Sequence, residues 1–297
     1  MQEINRPRMD VPLIYDVGAH DGDDTAFYLK KGFSVVAIEA SPELCSHLHE
    51  RFAREVASKT LRILNLAIAE KAGEVTLYIN DRLSIWNTTT PEFEKRNAVG
   101  GAPSSRRIKV PSAPLDSVIR EYGVPYYVKI DIEGQDMAAL HSLERLTEKP
   151  LYLSMEAEKS SWAKLLEEFS TLRRLGYRRF KLMNQALLEF QDCPNPPLVG
   201  KYVDHRFTSH SSGLFGEETP GVWLDASKAI EQYQHVFLGY LLHGDDGIFR
   251  TSIMRGRGIF DSLIRLQKKV ANFRGQSYAD PFDMIPHAYW YDTHATR

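Results

Sequence analysis

Residues 13–39 spell out one supersecondary unit, and it restricts the fold more than any other stretch. Leu13-Ile14-Tyr15-Asp16-Val17 reads as a buried strand. Gly18-Ala19-His20-Asp21-Gly22 reads as a glycine turn, residues 24–31 as a helix stopped by Gly32, and Ser34–Glu39 as a second strand ending in a carboxylate. Strand, glycine turn, helix and strand open a nucleotide-binding sheet, so the expected fold is α/β, Rossmann-like and doubly wound, with helices on both faces of a mostly parallel sheet.

The acids around the turn select the nucleotide. A dinucleotide site uses G-x-G-x-x-G to bring the backbone close to a pyrophosphate. Here only Gly18 and Gly22 are in place, and Asp21, Asp23 and Asp24 stand beside them. Three carboxylates repel a pyrophosphate but suit a ligand with a cationic amino-acid end, as in S-adenosylmethionine with its ammonium and sulfonium. Glu39 follows Gly18 by 21 positions, where a carboxylate accepts hydrogen bonds from both ribose hydroxyls. Taken singly, the aspartates are explained as well by helix capping, and Glu39 by a solvated strand end. The spacing as a whole points to a cofactor site.

Strands and helices alternate onward from there. Ser41-Pro42-Glu43 opens a helix carrying Leu44, Leu48, Phe52 and Val56, residues 61–68 read as strand three, and residues 74–79 as a half-exposed strand. Residues 81–105 lose all periodicity and read as a long polar loop of the lid or binding kind. Residues 115–122 are a helix, 126–132 a strand, 136–146 a helix, 151–155 a strand, 162–175 a helix and 178–183 a strand. Residues 226–242 and 260–273 read as helices of an appendage, and the aromatic run Tyr289-Trp290-Tyr291-Asp292 as a segment packed back on the body. The expected organisation is a lead over residues 1–12, a catalytic domain over 13–224 and a helical C-terminal appendage over 225–297.

With 43% hydrophobic and 26% charged residues, the 297-residue chain has the composition of a soluble globular protein of this class. A formal net charge of −2 and dispersed Lys and Arg offer no nucleic-acid footprint. Cys45 and Cys193 form neither a zinc motif nor a disulfide framework, and no signal core or apolar span stands out. The expectation is a cytoplasmic protein without membrane or nucleic-acid partners. Apolar positions on the C-terminal helices are compatible with a homodimer and equally with buried packing.

Ligands of doubly wound sheets bind outside the carboxyl ends of the strands. Strand ends therefore nominate Asp16, Gly18, His20, Asp21, Gly22, Glu39, Ala40, Asn65 and Ala67 for the cofactor, and Lys129, Asp131, Glu133, Glu156 and Glu158 for the chemistry. Alternation along Val128-Lys129-Ile130-Asp131-Ile132-Glu133 puts three charges on one face of an apolar strand, which is costly unless they pair or meet a ligand. A buried network in which Lys129 neutralises the two acids is one reading. Asp131 beneath a sulfonium, with Glu133 orienting it or touching the acceptor, is the other, and the two are compatible.

Asp16-Val17-Gly18-Ala19-His20-Asp21-Gly22, Glu39-Ala40-Ser41-Pro42, Leu115-Asp116-Ser117-Val118 and Lys129-Ile130-Asp131-Ile132-Glu133-Gly134-Gln135-Asp136 together resemble the FkbM-type methyltransferases, a branch of the class I S-adenosylmethionine-dependent enzymes. The resemblance covers roughly residues 11–182. It implies a seven-stranded sheet with a terminal antiparallel hairpin, S-adenosylmethionine as cofactor with S-adenosylhomocysteine as product, and methylation of a hydroxyl on a sugar, glycan or polyketide-like acceptor. By position, Asp16, Gly18, Gly22 and Glu39 resemble the family's cofactor site, and Asp131 and Glu133 its acids on the methyl side. His20 departs from the usual Asn, and Gln135-Asp136 from the commoner Ala-Glu.

Methyl transfer to a hydroxyl needs a nearby proton acceptor, and His205 and His210, in a polar segment with loop chemistry, are candidates beside Asp131 and Glu133. Surface or structural roles explain either histidine alone. Residues 212–218 are a candidate wall, and Trp86 and Asn87 a candidate sugar platform and anchor. A magnesium site on Asp131, Glu156 or Glu158 is not expected. N-methylation of a small-molecule amine and a non-catalytic cofactor-binding protein are the alternatives to O-methylation.

Overall fold

The computed structural model describes residues 12–99, 106–159, 161–208, 211–243 and 290–297. The opening unit forms as expected: β1 (Leu13–Val17), α1 (Asp23–Lys30) and β2 (Ser34–Glu39), then α2 (Pro42–Arg51) with Pro42 at its first turn and the Ser41 hydroxyl accepting from the Leu44 amide. After α3 (Ala53–Ala57) the single strand expected over 61–68 splits into β3 (Leu61–Asn65) and β4 (Ala67–Ile68). Its break is at Leu66, whose amide still donates to the Glu39 carbonyl at 3.0 Å before the chain crosses to a second sheet.

β5 (Gly73–Ile79) is followed by a short 3-10 turn at Ser84–Trp86 and α4 (Pro91–Val99), so the expected loop is partly helical. β6 (Arg106–Ala113) escapes a sequence reading because its outer face is Arg, Lys and Pro, and its inner face has only two apolar residues, Ile108 and Val110, against Leu77 and Val75. α5 (Leu115–Tyr122), β7 (Tyr127–Ile130), α6 (Asp136–Ser142), β8 (Tyr152–Glu156), α7 (Trp162–Arg174) and β9 (Arg179–Asn184) follow the expected order. α8 (Ala226–His243) and β10 (Tyr291–Thr296) come last.

Seven strands form one sheet in the order β3-β2-β1-β7-β8-β10-β9, and β4-β6-β5 form a smaller one. In the large sheet β10 alone runs against the rest, antiparallel to both β8 and β9. The segment expected as a helical appendage thus supplies a strand inside the main sheet, and α8 packs Ala229, Tyr233 and Val236 into the core. The helix expected over 260–273 and the lead before Pro12 lie outside the described residues.

Strand alternation divides the core between two faces. Tyr15, Val17, Val128 and Ile130 meet α5, α6, α7 and α8, while Ile14, Val35 and Tyr127 meet Phe27, Tyr28, Leu48 and Phe52 of the helices on the other side. Over that second face runs the segment that the sequence presents as a loop. Phe215 stacks on Tyr127 at 4.9 Å between ring centroids and meets Tyr28 at 5.1 Å and Phe33 at 5.5 Å. Leu214 and Phe215 are therefore core residues; among the described residues of this segment only Ser211 and Ser212 reach the cleft described below.

Lys31 and Glu218 clip the segment down with a fully buried ion pair at 2.7 Å. The ammonium also donates to the Lys201 carbonyl at 3.2 Å, and Glu218 accepts from the amides of Leu198 at 3.0 Å and Val199 at 3.2 Å. Losing one partner of such a pair leaves a buried charge unmatched. Lys31→Met should cost about 3–5 kcal/mol in urea unfolding, and Lys31→Met combined with Glu218→Gln should recover part of that loss. Equal midpoints for Lys31→Met and the parent would show that the clip contributes nothing.

Candidate cofactor and active site

A cleft opens at the carboxyl ends of β1, β2, β7 and β8, where a doubly wound sheet places its ligand. Its floor begins at Gly18. The Gly18 and Ala19 amides both donate to the Ile38 carbonyl, at 2.9 and 3.0 Å, which bends the chain sharply away from β1. Gly18 has φ +87°, and a Cβ there would lie 1.8 Å from the Asp131 carbonyl oxygen, so the turn and the β7 end touch through a position only glycine fills. His20 is also left-handed, with φ 49°.

Glu39 is held from two sides. Its Oε2 accepts from the His20 amide at 3.0 Å and its Oε1 from the Ser41 amide at 2.8 Å. Burial nonetheless pushes its carboxyl above the ordinary range. The Asn65 side chain donates to the Glu39 and Ala40 carbonyls at 3.1 and 2.9 Å, fixing the backbone behind them. Ala40, Leu66, Ala67, Ile68 and Leu77 supply an apolar wall next to this carboxylate.

Lys129 stands opposite Asp16 in the β1–β7 register, both on the α1 side of the sheet. Its ammonium lies 3.4 Å from Asp16, 3.1 Å from Asp24, 3.5 Å from Asp131 and 3.4 Å from the Gly18 carbonyl. Burial is the main reason that the Asp16 carboxyl rises to about 6, against the opposing pull of Lys129. The sequence pairing of Lys129 with Glu133 is corrected here: β7 ends at Ile130, and Glu133 sits in a left-handed turn at φ 45°, outside the strand's alternation. Glu133 still lines the cleft, and its carbonyl accepts from the Thr88 hydroxyl at 2.7 Å, which ties the 84–90 segment over the site.

Farther along the same cleft lie Asp131, Glu156, Gln185, Trp290 and Asp292. Seven carboxylic side chains line the whole cleft (Asp23, Asp24, Glu39, Asp131, Glu133, Glu156 and Asp292) against one lysine, Lys129. Trp86 and the half-exposed Trp290 add two indoles to the lining.

Several expected residues take other places. Asp16 is fully buried beneath the cleft, holding Lys129 and accepting from the Thr25 hydroxyl at 2.6 Å. Asp21 sits at the start of α1 and accepts from the Asp23 amide at 3.3 Å, while Gly22, with φ +88°, makes room for Leu48 and Phe52. Asn65 supports the wall from behind. His205 packs its ring 4.9 Å from those of Phe27 and Phe207, away from the cleft lining, and burial lowers its pKa. His210 lies outside the described residues. Sequence reasoning missed Asp24 as the partner of Lys129, along with Ser84, Gln185, Trp290 and Asp292. Asp24 had a signal in its place in the first turn of α1, whereas Asp292 had only the aromatic run before it, which marks a packed segment and not a site, because β10 has no apolar run. Among the described residues no group of three His, Cys, Asp or Glu is arranged to hold a metal ion, and no helix is long and apolar enough to cross a membrane.

Such a cleft suits a flat apolar base beside a carboxylate with lone pairs to spare, joined to a cationic end over acids. Gly18→Ala should cost at least about 2 kcal/mol in chemical unfolding, since its methyl group and its left-handed φ both oppose the observed turn. Unchanged stability would mean that the close approach to Asp131 is relieved at no cost.

A search of the curated proteins finds no match. Among solved structures, the chain is similar to precorrin-6Y C5,15-methyltransferase from Geobacter metallireducens, with 12% identity, 59% of this chain and 68% of that one covered, and a TM-score of 0.33. It is also similar to 1,6-didemethyltoxoflavin-N1-methyltransferase from Burkholderia thailandensis, solved with 1,6-didemethyltoxoflavin and S-adenosylhomocysteine, at 13% identity, 59% and 64% coverage and a TM-score of 0.31. Phosphoethanolamine N-methyltransferase 2 from Haemonchus contortus, in complex with S-adenosyl-L-methionine, gives 12% identity, 98% and 50% coverage and a TM-score of 0.34. The family model of the methyltransferase FkbM domain matches residues 16–179, more than half of the chain. The chain belongs to that family and is an S-adenosylmethionine-dependent methyltransferase.

Proposed function

We propose that this enzyme O-methylates a hydroxyl group of a sugar, glycan or polyketide-like acceptor. The observation that carries the reading is the lining of the cleft, which combines the indoles of Trp86 and Trp290 with the carboxylates Asp131, Glu133 and Glu156. Hydroxyls donate strong charge-assisted hydrogen bonds to carboxylates, and an indole offers a flat apolar face to the C–H side of a ring. The same excess of acid repels phosphate-rich acceptors.

When bound, the cofactor supplies an electrophilic methyl group on a sulfonium. Glu39, fixed by two backbone amides, holds the ribose hydroxyls, and Ala40, Leu66, Ala67, Ile68 and Leu77 enclose the base. Gly18, Ala19 and His20 give the backbone surface under the amino-acid end, with Asp24 and Lys129 nearby. Asp131 would face the cationic centre of the bound donor, and Glu133 would orient the acceptor. Alignment of acceptor and methyl carbon is the main service of such a site, because an in-line displacement is steeply sensitive to position.

The surplus of carboxylates also favours a protonated amine, so N-methylation is the second reading. Methyl-13C-labelled S-adenosylmethionine, incubated with the enzyme and a panel of saccharides, polyketide-type alcohols and amines, separates the two. Label in an O–CH3 group is expected; label confined to nitrogen overturns the O-methylation reading. Glu39→Ala should weaken binding of S-adenosylhomocysteine by about 1–3 kcal/mol in isothermal titration, and an unchanged affinity would remove Glu39 from the ribose site.

A further inference from the structure

We propose that Asp292, delivered by the antiparallel strand β10, is the proton acceptor for the acceptor hydroxyl, and that entry of the cationic methyl donor ionises it. This rests on the O-methylation reading above.

Asp292 lies directly opposite Glu156 in the β10–β8 register, and both line the cleft. Like charges facing each other across two strands are unfavourable, so one of the pair must be neutral or a cation must join them. Glu156 already has a cation: the Lys159 ammonium is 2.8 Å from its Oε1, and lies over the Trp290 ring at 4.6 Å. Asp131 likewise lies 3.5 Å from Lys129. Each cation makes its carboxylate a poorer base. Asp292 has the Gln185 side chain as hydrogen-bond partner and, among the described residues, no cation in ion-pair contact. It is the member of the group that carries the proton when the cleft holds no positive ligand.

The charged and titratable groups facing Asp292 are Asp131, Glu156 and Lys129, with the Tyr127 and Tyr233 hydroxyls also within its field. Burial, then Asp131 and Glu156, push its carboxyl up to about 8. A general base is most effective when its affinity for the proton is close to the working pH. A sulfonium entering this acidic end supplies the missing positive charge and favours the ionised form. The order follows: donor binding expels a proton from Asp292, and the carboxylate so formed meets the incoming hydroxyl. In the transfer the hydroxyl oxygen's lone pair forms the new C–O bond as the C–S bond breaks and leaves its electrons on sulfur. The hydroxyl proton passes to Asp292 and then to solvent at the mouth.

His20 and His205 are placed less well for this task. Both ring nitrogens of His20 are engaged, Nε2 with the Ser84 hydroxyl at 2.9 Å and Nδ1 facing Asp21 at 3.7 Å, and His205 packs on Phe27 outside the cleft.

Proton release on ligand binding tests this without knowledge of the acceptor. Isothermal titration at pH 7 in buffers of different ionisation enthalpy counts the protons expelled by S-adenosylmethionine and by neutral-sulfur S-adenosylhomocysteine. The intact enzyme should release about one proton more with the sulfonium, and Asp292→Asn should lose most of that difference. No difference in the intact enzyme, or the same difference in Asp292→Asn, overturns the proposal, and the first of these outcomes needs no variant to fold. Once an acceptor is in hand, Asp292→Asn should lower kcat about 100- to 10,000-fold while Asp292→Glu restores part of it. Label found on nitrogen in the product experiment overturns the O-methylation reading, whereas proton release reports on Asp292 itself.

Discussion

One ammonium group fastens the site to the fold. Lys129 sits in the β7 strand, and its charge is shared among Asp16 of β1, Asp24 of α1 and Asp131 just past β7. These elements meet where the chain leaves the sheet at Gly18, so the cation fixes the turn, the first helix and the neighbouring strand end relative to one another. Removing so many charges from water is repaid only by close, well-oriented pairing. The pairing is incomplete, with three acids to one base, and the cleft above keeps a negative surplus. Asp16 records it: burial lifts its carboxyl from 3.8 to about 6, so the folded protein holds a proton that the unfolded chain has released. Its stabilising contribution is full below about pH 4 and is lost as the pH rises through about 6. A cationic ligand relieves the same surplus, which links affinity for the methyl donor to the electrostatics of the fold.

Around this polar centre the α1 face is almost entirely aromatic and aliphatic. Phe27, Tyr28, Phe33, Tyr127 and Phe215 pack ring against ring, and the Tyr127 hydroxyl finds Ser154 at 2.6 Å. A dry surround strengthens the pairs that Lys129 makes and raises the cost of breaking any one of them. The same packing explains why residues 192–208 and 211–218 lie where they do without a helix or strand of ordinary length. Phe207, Leu214 and Phe215 anchor the segment by burial, Lys31 and Glu218 by charge, and the Ser212 amide by donating a hydrogen bond to Asp24 at 2.8 Å.

Legibility in the sequence followed the kind of force that shapes each part. The βαβ unit of β1, α1 and β2 could be read to within a residue, because apolar runs, glycine turns and a Ser-Pro helix start are local signals. Gly18 and Glu39 were legible for the same reason: spacing along one such unit fixes their places in space. Lys129 and Asp131 were visible as an anomaly of charge in an apolar strand, yet the alternation rule assigned Glu133 to that strand when the chain had already turned out of it. His205 illustrates the opposite error, since a histidine among polar residues looks available until Phe27 and Phe207 are seen to enclose it. The amide that Asp24 accepts from Ser212 joins positions 188 residues apart, a separation over which no local pattern in the sequence could have signalled it.

β10 is the clearest case of a strand hidden by its own chemistry. Tyr291-Asp292-Thr293-His294-Ala295-Thr296 is mostly polar, but every residue of it is buried between β8 and β9. Three of its polar side chains find partners across the fold: Tyr291 accepts from Asn184 at 3.2 Å, Thr293 meets the Tyr233 hydroxyl at 2.7 Å, and His294 faces Thr219 through Nδ1 at 3.4 Å. These partners also define the register, since a slip of one residue would turn Asp292 from the cleft to the opposite face. Because β10 runs against its neighbours, its first residues, not its last, reach the carboxyl edge of the sheet. Trp290 and Asp292 therefore arrive at the cleft from the side opposite Gly18 and Glu39. A parallel strand in that slot would bring its final residues there instead, so the reversed direction of one strand determines which side chains line this end of the cleft.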